Sequence, residues 1–242
     1  MNQPRLKKKS PQKRPPLIKP TQKTLEKIYR ILRKKFGPQH WWPAKTPFEV
    51  IVGAILTQNT NWGNVKKAIR NLKKQNVLFP QALKDIPVEN LAALIKPAGY
   101  FNVKAKRLKN FIRFFFEKYD GDLKKMEQEP LEALRVKLLT VNGIGPETAD
   151  SILLYALNKP IFVVDAYTKR IFCRNNLIAE NSVYHDIQKM FMSRLENYTR
   201  LFNEYHALIV RLGKDHCRPR PLCESCPLNK ECPKFMGGVT FS

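Results

Sequence analysis

Residues Leu138-Leu139-Thr140-Val141-Asn142-Gly143-Ile144-Gly145-Pro146-Glu147-Thr148-Ala149-Asp150 combine two apolar segments with a short glycine-rich break. The two glycines of the break permit a positive φ, and Pro146 suits the first position of a helix. The stretch therefore predicts a helix, a tight turn and a second helix, whose free N–H groups can hold a phosphate. Asp165 follows a short apolar run twenty positions after Gly145, at the predicted start of another helix. A phosphate-binding turn near a carboxylate suggests chemistry on a nucleic acid.

The composition favours the same kind of partner. The chain has 242 residues, 43% of them hydrophobic, and a formal net charge of +24. Such an excess of positive charge favours a polyanion, which releases its counterions on binding. No apolar run is long enough to span a membrane, and the N-terminus lacks a hydrophobic signal segment. We expect an intracellular monomer, in cytoplasm or nucleoid, whose thiols form no structural disulfides.

Residues 1–20 form a basic segment of their own. They contain seven lysines and arginines, five prolines and no acid, which predicts a disordered tail. Such a tail adds non-specific DNA affinity or addresses the protein to a nucleus, or it only increases solubility.

The rest of the chain has the periodicity of helices. Apolar residues at helical spacing predict a first helix at residues 21–36, and the Thr46-Pro47-Phe48-Glu49 string is a capping box before a buried helix. A longer helix over about residues 103–118 should place Lys104 outward. No strand pattern occurs, so the sequence predicts an all-α fold.

The hairpin string with its following Val164-Asp165 resembles the signature of the endonuclease III, or helix-hairpin-helix, superfamily of DNA glycosylases. In that pattern Asn142 replaces a proline and Glu147 replaces a lysine. The resemblance implies two helical lobes that bind double-stranded DNA with a damaged base in the cleft between them. A six-helix lobe would span residues 40–157, with the hairpin at 131–157. The second lobe would combine residues 21–39 with 158–242.

Two acidic residues carry the expected chemistry. Asp165 could simply cap its helix, because aspartate is a favoured N-cap residue. The resemblance instead implies that Asp165 is the catalytic residue, whose carboxylate stabilises positive charge on the deoxyribose. Glu147 occupies the position where bifunctional relatives have a Schiff-base lysine. Glutamate cannot form an imine, which predicts that AP-lyase activity is absent, although Glu147 also suits the first turn of a helix.

Further residues are assigned through the resemblance. Gln58 matches the side chain that fills the hole left by a flipped base, and Gly143, Gly145 and Thr148 belong to the DNA-binding hairpin. Base-pocket candidates are Trp41, Trp42, Trp62 and, more weakly, Lys214. The three tryptophans could instead serve packing alone. The strings Trp-Trp-Pro at 41–43, Leu-Thr-Gln-Asn-Thr at 56–60 and Gly-Ile-Gly-x-Glu-x-Ala-Asp at 143–150 together resemble the 3-methyladenine (methylpurine) branch of the superfamily. The resemblance implies an aromatic pocket that stacks on an extruded base.

Four cysteines close to the C-terminus suggest a metal site. Cys217, Cys223, Cys226 and Cys232 have the spacing C-x5-C-x2-C-x5-C. Four thiolates within sixteen residues can bind a 4Fe–4S cluster or zinc, or remain without metal. The family loop that holds a 4Fe–4S cluster has the spacing C-x6-C-x2-C-x5-C, so the resemblance favours the cluster.

The sequence as a whole predicts a monofunctional base-excision-repair DNA glycosylase that hydrolyses the N-glycosidic bond of alkylated purines such as 3-methyladenine. One alternative is an endonuclease III-type enzyme acting on oxidised pyrimidines or mismatched thymine. The other is an Fe–S protein that binds DNA without catalysis.

Overall fold

The structure is a computed structural model that describes residues 17–233. The described part is built from helices and contains no strand, which confirms the all-α prediction. The α-helices are α1 (Gln22–Phe36), α2 (Pro47–Leu56), α3 (Trp62–Lys74), α4 (Pro80–Asp85), α5 (Val88–Leu94), α6 (Phe101–Tyr119), α7 (Leu123–Gln128), α8 (Leu131–Leu139), α9 (Pro146–Ser151), α10 (Ala166–Arg174), α11 (Tyr184–Met192) and α12 (Thr199–Asp215). A π-helical turn, Ile152–Ala156, continues α9, and a 3₁₀ turn spans Lys96–Ala98.

The centre of the molecule is α2, whose residues from Phe48 to Leu56 are all buried. It packs against α3, α6, α9 and the π-helical turn. Its sequence is apolar on every face, as expected for a helix surrounded by others. Thr46 caps α2 through its side chain, but the Glu49 carboxylate accepts from the backbone N–H of Lys45 rather than of Thr46. The predicted reciprocal capping box is therefore only half formed.

A second group of contacts joins the two ends of the described chain. Helix α1 packs against α12, which also packs against α10. The rings of Tyr29 and Tyr205 meet edge to face at 5.3 Å, and the Tyr205 hydroxyl donates to the Leu25 carbonyl at 2.8 Å. These contacts would hold α1 in the second of the two proposed lobes, and the division at residues 40–157 stays a proposal.

The start of the described chain lies against the body. The Ile18 N–H donates to the Asn176 carbonyl at 2.8 Å, and Pro20 is buried. The remainder of the predicted basic tail, residues 1–16, lies outside the described residues. No helix of the described chain is both long and apolar enough to cross a membrane.

The prediction that Lys104 faces outward is wrong. Its side chain is 1% exposed, and its Nζ donates to the Ala98 carbonyl at 2.7 Å. Burial, and secondarily the nearby Arg107, lower the pKa of Lys104. The 3₁₀ turn before α6 supplies the carbonyl, so the lysine anchors the start of α6 instead of facing solvent.

Candidate functional site

The hairpin turn between α8 and α9 needs its first glycine. Gly143 has φ +94°, and a Cβ there would lie 2.3 Å from the Arg107 side chain. Gly145 does not adopt the positive φ that glycine permits, because its φ is −94° and its backbone is extended. A Cβ at Gly145 would meet nothing within 4 Å, so this position is open toward solvent. The two glycines therefore have different roles: one permits the turn, and the other keeps its surface clear.

Gln58 at the end of α2 is tied to the same turn. Its amide Nε2 donates to the Gly143 carbonyl and to the Thr148 hydroxyl, both at 2.9 Å. Its Oε1 accepts from Arg107. Thr148 is buried, so its side chain supports the turn from inside. Before DNA binds, Gln58 is thus held against the hairpin that the sequence assigned to the same surface.

These residues line a single cleft with Glu147. The cleft has a volume of about 530 Å³ and is lined by Gln58, Arg107, Gly143, Ile144, Gly145, Pro146, Glu147, Thr148 and Tyr184. Glu147 is exposed to water within it. Surrounding protein atoms nevertheless desolvate the carboxyl, and together with the negative charge of Asp165 they raise the pKa of Glu147 to about 7. A carboxyl that is half protonated near neutral pH therefore stands at the position of the lyase lysine.

Asp165 caps its helix with one carboxylate oxygen and leaves the other without a short hydrogen bond. Its Oδ1 accepts from the Thr168 backbone N–H at 2.7 Å and from the Thr168 hydroxyl at 2.9 Å. Its Oδ2 has one polar neighbour in the described chain, His206 Nε2 at 3.5 Å. Burial alone would raise the pKa of Asp165, but His206 and the two Thr168 donors outweigh burial and hold the pKa below its usual value. The carboxylate is thus ionised at neutral pH.

His206 was not singled out by the sequence. It lies on α12 with 5% exposure, and Nδ1 of its ring shares a hydrogen bond with the Tyr155 hydroxyl. The available signal was its position, because Phe202, His206 and Ile209 fall on one buried face of α12. A histidine on an apolar helical face is usually a packing residue. Its function-related neighbour Asp165 lies 41 positions away and could not be deduced from spacing.

The three tryptophans lie close together in the structure. The Trp42 and Trp62 ring centroids lie 5.1 Å apart, those of Trp41 and Trp42 lie 5.4 Å apart, and Trp42 also contacts Tyr155 at 5.2 Å. Lys214 Nζ lies 5.5 Å from the Trp41 ring centroid. Desolvation lowers the pKa of Lys214, although the charge of Asp165 opposes this. Because Tyr155 also contacts His206, the aromatic cluster and Asp165 belong to one site.

A close helix contact brings α10 to this site. A Cβ at Gly213 of α12 would lie 2.2 Å from the Tyr167 ring of α10. Only glycine therefore allows α12 to approach the first turn of α10, where Asp165 is the cap. The same approach places Lys214 beside the tryptophans.

The four C-terminal cysteines share one cavity. It measures about 30 Å³, and its lining includes Cys217, Cys223, Cys226, Cys232, Arg174 and Leu228. No group of three or more His, Cys, Asp or Glu side chains in residues 17–233 is gathered as it would be around a single metal ion. The Arg174 guanidinium donates to Cys217 Sγ at 3.4 Å. Burial raises the pKa of Cys226 to about 11, so any metal that binds there must displace a proton.

A basic groove borders the hairpin. It is lined by Val88, Val103, Lys106, Arg107, Lys109, Asn110, Arg113 and Asn142. Asn110 of α6 donates to the Asn142 carbonyl at 3.1 Å, which joins α6 to the turn. Arg107 lines both this groove and the cleft of Glu147. The positive surface thus continues from the hairpin along α6, as a phosphate backbone would require.

Comparison with protein families finds one match along the chain. Residues 52–197 match the model of the HhH-GPD superfamily base excision DNA repair protein. The matched range contains the hairpin, Gln58, Trp62 and Asp165.

Individual relatives agree with that family. A protein of Methanocaldococcus jannaschii, provisionally assigned as a DNA repair glycosylase, is 49% identical over 208 residues, covering 85% of this chain and 94% of the relative. Endonuclease III of Thermotoga maritima is 29% identical over 209 residues, covering 86% and 92%. The crystal structure of the H. pylori 3-methyladenine DNA glycosylase bound to 1,N6-ethenoadenine is 30% identical with a TM-score of 0.70, covering 78% of this chain and 97% of that one.

Proposed function

The chain belongs to the HhH-GPD superfamily as a base excision repair DNA glycosylase, and we propose that it is a monofunctional hydrolase with Asp165 as its catalytic residue. The observation that carries this proposal is the state of the Asp165 carboxylate. One oxygen is used for capping, and the other has only a long contact to His206. An ionised carboxylate with an available oxygen is the group that a cationic sugar transition state needs.

The proposed reaction begins with extrusion of a damaged nucleotide from the duplex into the cleft. As the N-glycosidic bond breaks, electrons leave with the base and C1′ of the deoxyribose becomes positively charged. The Asp165 carboxylate stabilises that charge, and water attacks C1′ and releases a proton to the solvent, which leaves an abasic site. The cap and catalytic interpretations of Asp165 agree, because Thr168 fixes one oxygen and thereby orients the other.

The proposed base pocket consists of Trp41, Trp42 and Trp62. Their faces suit a stacked base, and an aromatic face gains about 0.5–2 kcal/mol from a cation. Purines alkylated at N3 or N7 are cationic and leave readily, so the proposed substrates are alkylated purines such as 3-methyladenine. The similarity to the H. pylori 3-methyladenine DNA glycosylase supports this class. Lys214 beside Trp41 would border the pocket.

The proposed absence of AP-lyase activity rests on Glu147. A carboxyl has no nitrogen with which to form a Schiff base, even when it is protonated. In the proposed site Glu147 contributes charge near the sugar. Gln58, Gly143, Gly145 and Thr148 would form the surface that receives DNA.

Single-turnover base release from a panel of duplexes tests the substrate. We expect 3-methyladenine or 7-methylguanine to be released faster than thymine glycol or thymine mispaired with guanine. Trp42→Ala should slow release of the methylpurines, and borohydride added during turnover should trap no protein–DNA adduct. Faster release of thymine glycol or mispaired thymine would favour the endonuclease III-type alternative, for which the T. maritima relative is the precedent. No release from any duplex would favour a binding protein without catalysis.

We also propose that Cys217, Cys223, Cys226 and Cys232 bind a 4Fe–4S cluster. All four line one cavity, as the ligands of one cluster would. When bound, such a cluster supplies iron–thiolate bonds that cross-link the loop. Arg174 beside Cys217 would offset the negative charge of the thiolates.

Iron content tests the cluster. Protein purified without oxygen should be brown and contain about four irons per chain. Cys223→Ala should lower the iron content per chain. Cys173 is a half-buried cysteine on α10 outside the cavity, so Cys173→Ala should keep the iron content of the wild type. A colourless protein with one tightly bound zinc would refute the proposal.

A further inference from the structure

The buried His206 lies beside Asp165, and contacts at both of its ring nitrogens fix the orientation of its ring. His206 Nε2 faces Asp165 Oδ2 at 3.5 Å and makes no hydrogen bond of normal length in the described structure. A buried ring nitrogen without a partner is costly, since its desolvation is not compensated. The nitrogen is aimed at the carboxylate oxygen that capping leaves available.

The other ring nitrogen is held by Tyr155. The Tyr155 hydroxyl and His206 Nδ1 share a hydrogen bond, and the tyrosine comes from the π-helical turn after α9. Burial, followed by the charges of Asp165 and Glu147, holds the pKa of Tyr155 well above its usual value. Tyr155 therefore keeps its proton and can donate it to Nδ1. In the neutral ring this leaves the imidazole proton on Nε2, opposite Asp165.

Other titratable groups surround the same carboxylate at longer range. Glu147 faces it from α9, Lys214 from α12 and the Tyr155 hydroxyl from the π-helical turn. Among residues 17–233 only His206 makes an ion-pair contact with Asp165. Glu147 opposes ionisation of Asp165, whereas His206 and Lys214 favour it. Of the two groups that favour the ionised form, His206 is the one in contact with the carboxylate.

We propose that His206 is the positioning residue for Asp165. Tyr155 orients the imidazole through Nδ1, and Nε2–H donates to Asp165 Oδ2 once DNA closes the site. The bond keeps Asp165 ionised beside Glu147 and directs the carboxylate toward C1′. The inference rests on the proposed catalytic role of Asp165 and adds the residues that would set its charge and orientation.

The test is the pH dependence of single-turnover base release. His206→Phe keeps a planar ring but removes both nitrogens, whereas His206→Gln keeps an N–H donor near Nε2. His206→Phe should slow release at neutral pH by roughly 10- to 100-fold, the scale of a hydrogen bond to a charged group. The acid limb of its profile should move to higher pH, because burial then raises the pKa of Asp165 without opposition from the histidine. His206→Gln should keep the acid limb close to that of the wild type.

Controls separate positioning from packing. His185→Phe changes an exposed histidine on α11 and should leave the profile unchanged. Binding to a duplex with an abasic analogue and the thermal midpoint report whether each variant folds. If His206→Phe does not fold, Tyr155→Phe removes only the hydroxyl that holds Nδ1, and a smaller shift of the acid limb in the same direction is expected.

Three results would overturn the inference. They are an unchanged profile in folded His206→Phe, a loss in that variant that is equal at every pH, and a His206→Gln variant that behaves like His206→Phe. If His206→Phe does not fold, an acid limb that is unshifted in Tyr155→Phe would overturn the inference. Wild-type protein that releases no base would refute the proposed function and the inference with it. Wild-type release beside an unaffected His206→Phe would overturn the inference alone.

Discussion

Two aspartates fifteen positions apart are treated differently by the fold. Asp150 is 0% exposed, and both oxygens of its carboxylate accept hydrogen bonds. Oδ1 accepts from Arg135 Nε at 2.7 Å, while Oδ2 accepts from Tyr184 at 2.7 Å, Gln188 at 2.6 Å and Arg135 Nη2 at 3.2 Å. These partners come from α8 and α11, so Asp150 joins the hairpin to its neighbours.

The Asp165 side chain is 11% exposed, and its two oxygens are unequal. Thr168 donates twice to Oδ1, whereas Oδ2 has only His206 at 3.5 Å. A carboxylate whose acceptor sites are all occupied has nothing left for a substrate, and one with a free oxygen does. The comparison teaches that hydrogen-bond satisfaction, more than burial, separates the structural acid from the proposed catalytic one.

The largest expected effect is on stability at the saturated site. Asp150→Asn removes the charge that pairs with half-buried Arg135, which should lower the free energy of unfolding by about 3–5 kcal/mol, as for other broken buried ion pairs. Urea unfolding measures this change. Asp186→Asn, at an exposed position of α11, should cost no more than about 1 kcal/mol. Equal costs for the two variants would break the comparison.

The next effect is on rate at the unsaturated site. Asp165→Asn keeps the shape and one capping oxygen but loses the charge, so base release should slow by roughly 100- to 1,000-fold, the scale of a lost transition-state stabiliser. Affinity for an abasic-analogue duplex should be largely retained. Folded Asp150→Asn protein should release base within about tenfold of wild type, because its carboxylate does not face the sugar. Near-normal turnover by Asp165→Asn would reduce Asp165 to a helix cap.

The smallest effect sharpens the comparison at Glu147, the acid whose pKa is raised to about 7 by desolvation and by Asp165. As pH rises through this value Glu147 gains a negative charge near the sugar, so single-turnover release should increase by roughly five- to tenfold. Glu147→Gln cannot ionise and should remove this increase while keeping the acid limb of Asp165. A rate that falls as pH rises through 7 would show that the protonated form is the useful one.

The sequence predicted features that depend on local pattern and missed those that depend on distant contacts. The helical spacing of apolar residues predicted α1 and the hairpin helices, because each buries one stripe. Lys104 was misplaced because the Ala98 carbonyl that holds it comes from a separate 3₁₀ turn. Both glycines of the turn permit a positive φ, but only Gly143 adopts one.

At the site, the same limit applies. Asp165 and the tryptophans were both assigned through the resemblance, Asp165 because its motif lies within one short stretch, and their roles stay proposals. His206 and Tyr155 lie 51 positions apart, and their hydrogen bond depends on how α12 crosses the π-helical turn. Helical periodicity shows that His206 is buried but cannot show what its nitrogens contact.

The network around Asp150 also governs which parts of the molecule open together. Because Arg135, Tyr184 and Gln188 hold one carboxylate from two other helices, α9 cannot separate without exposing an unpaired buried charge. Its amide hydrogens should exchange with solvent only through unfolding of the whole domain. The irregular segment at residues 40–45 has few backbone hydrogen bonds and should exchange through small local openings. The turn proposed to bind DNA would then stay rigid while the tryptophan segment adjusts to the base proposed to bind there.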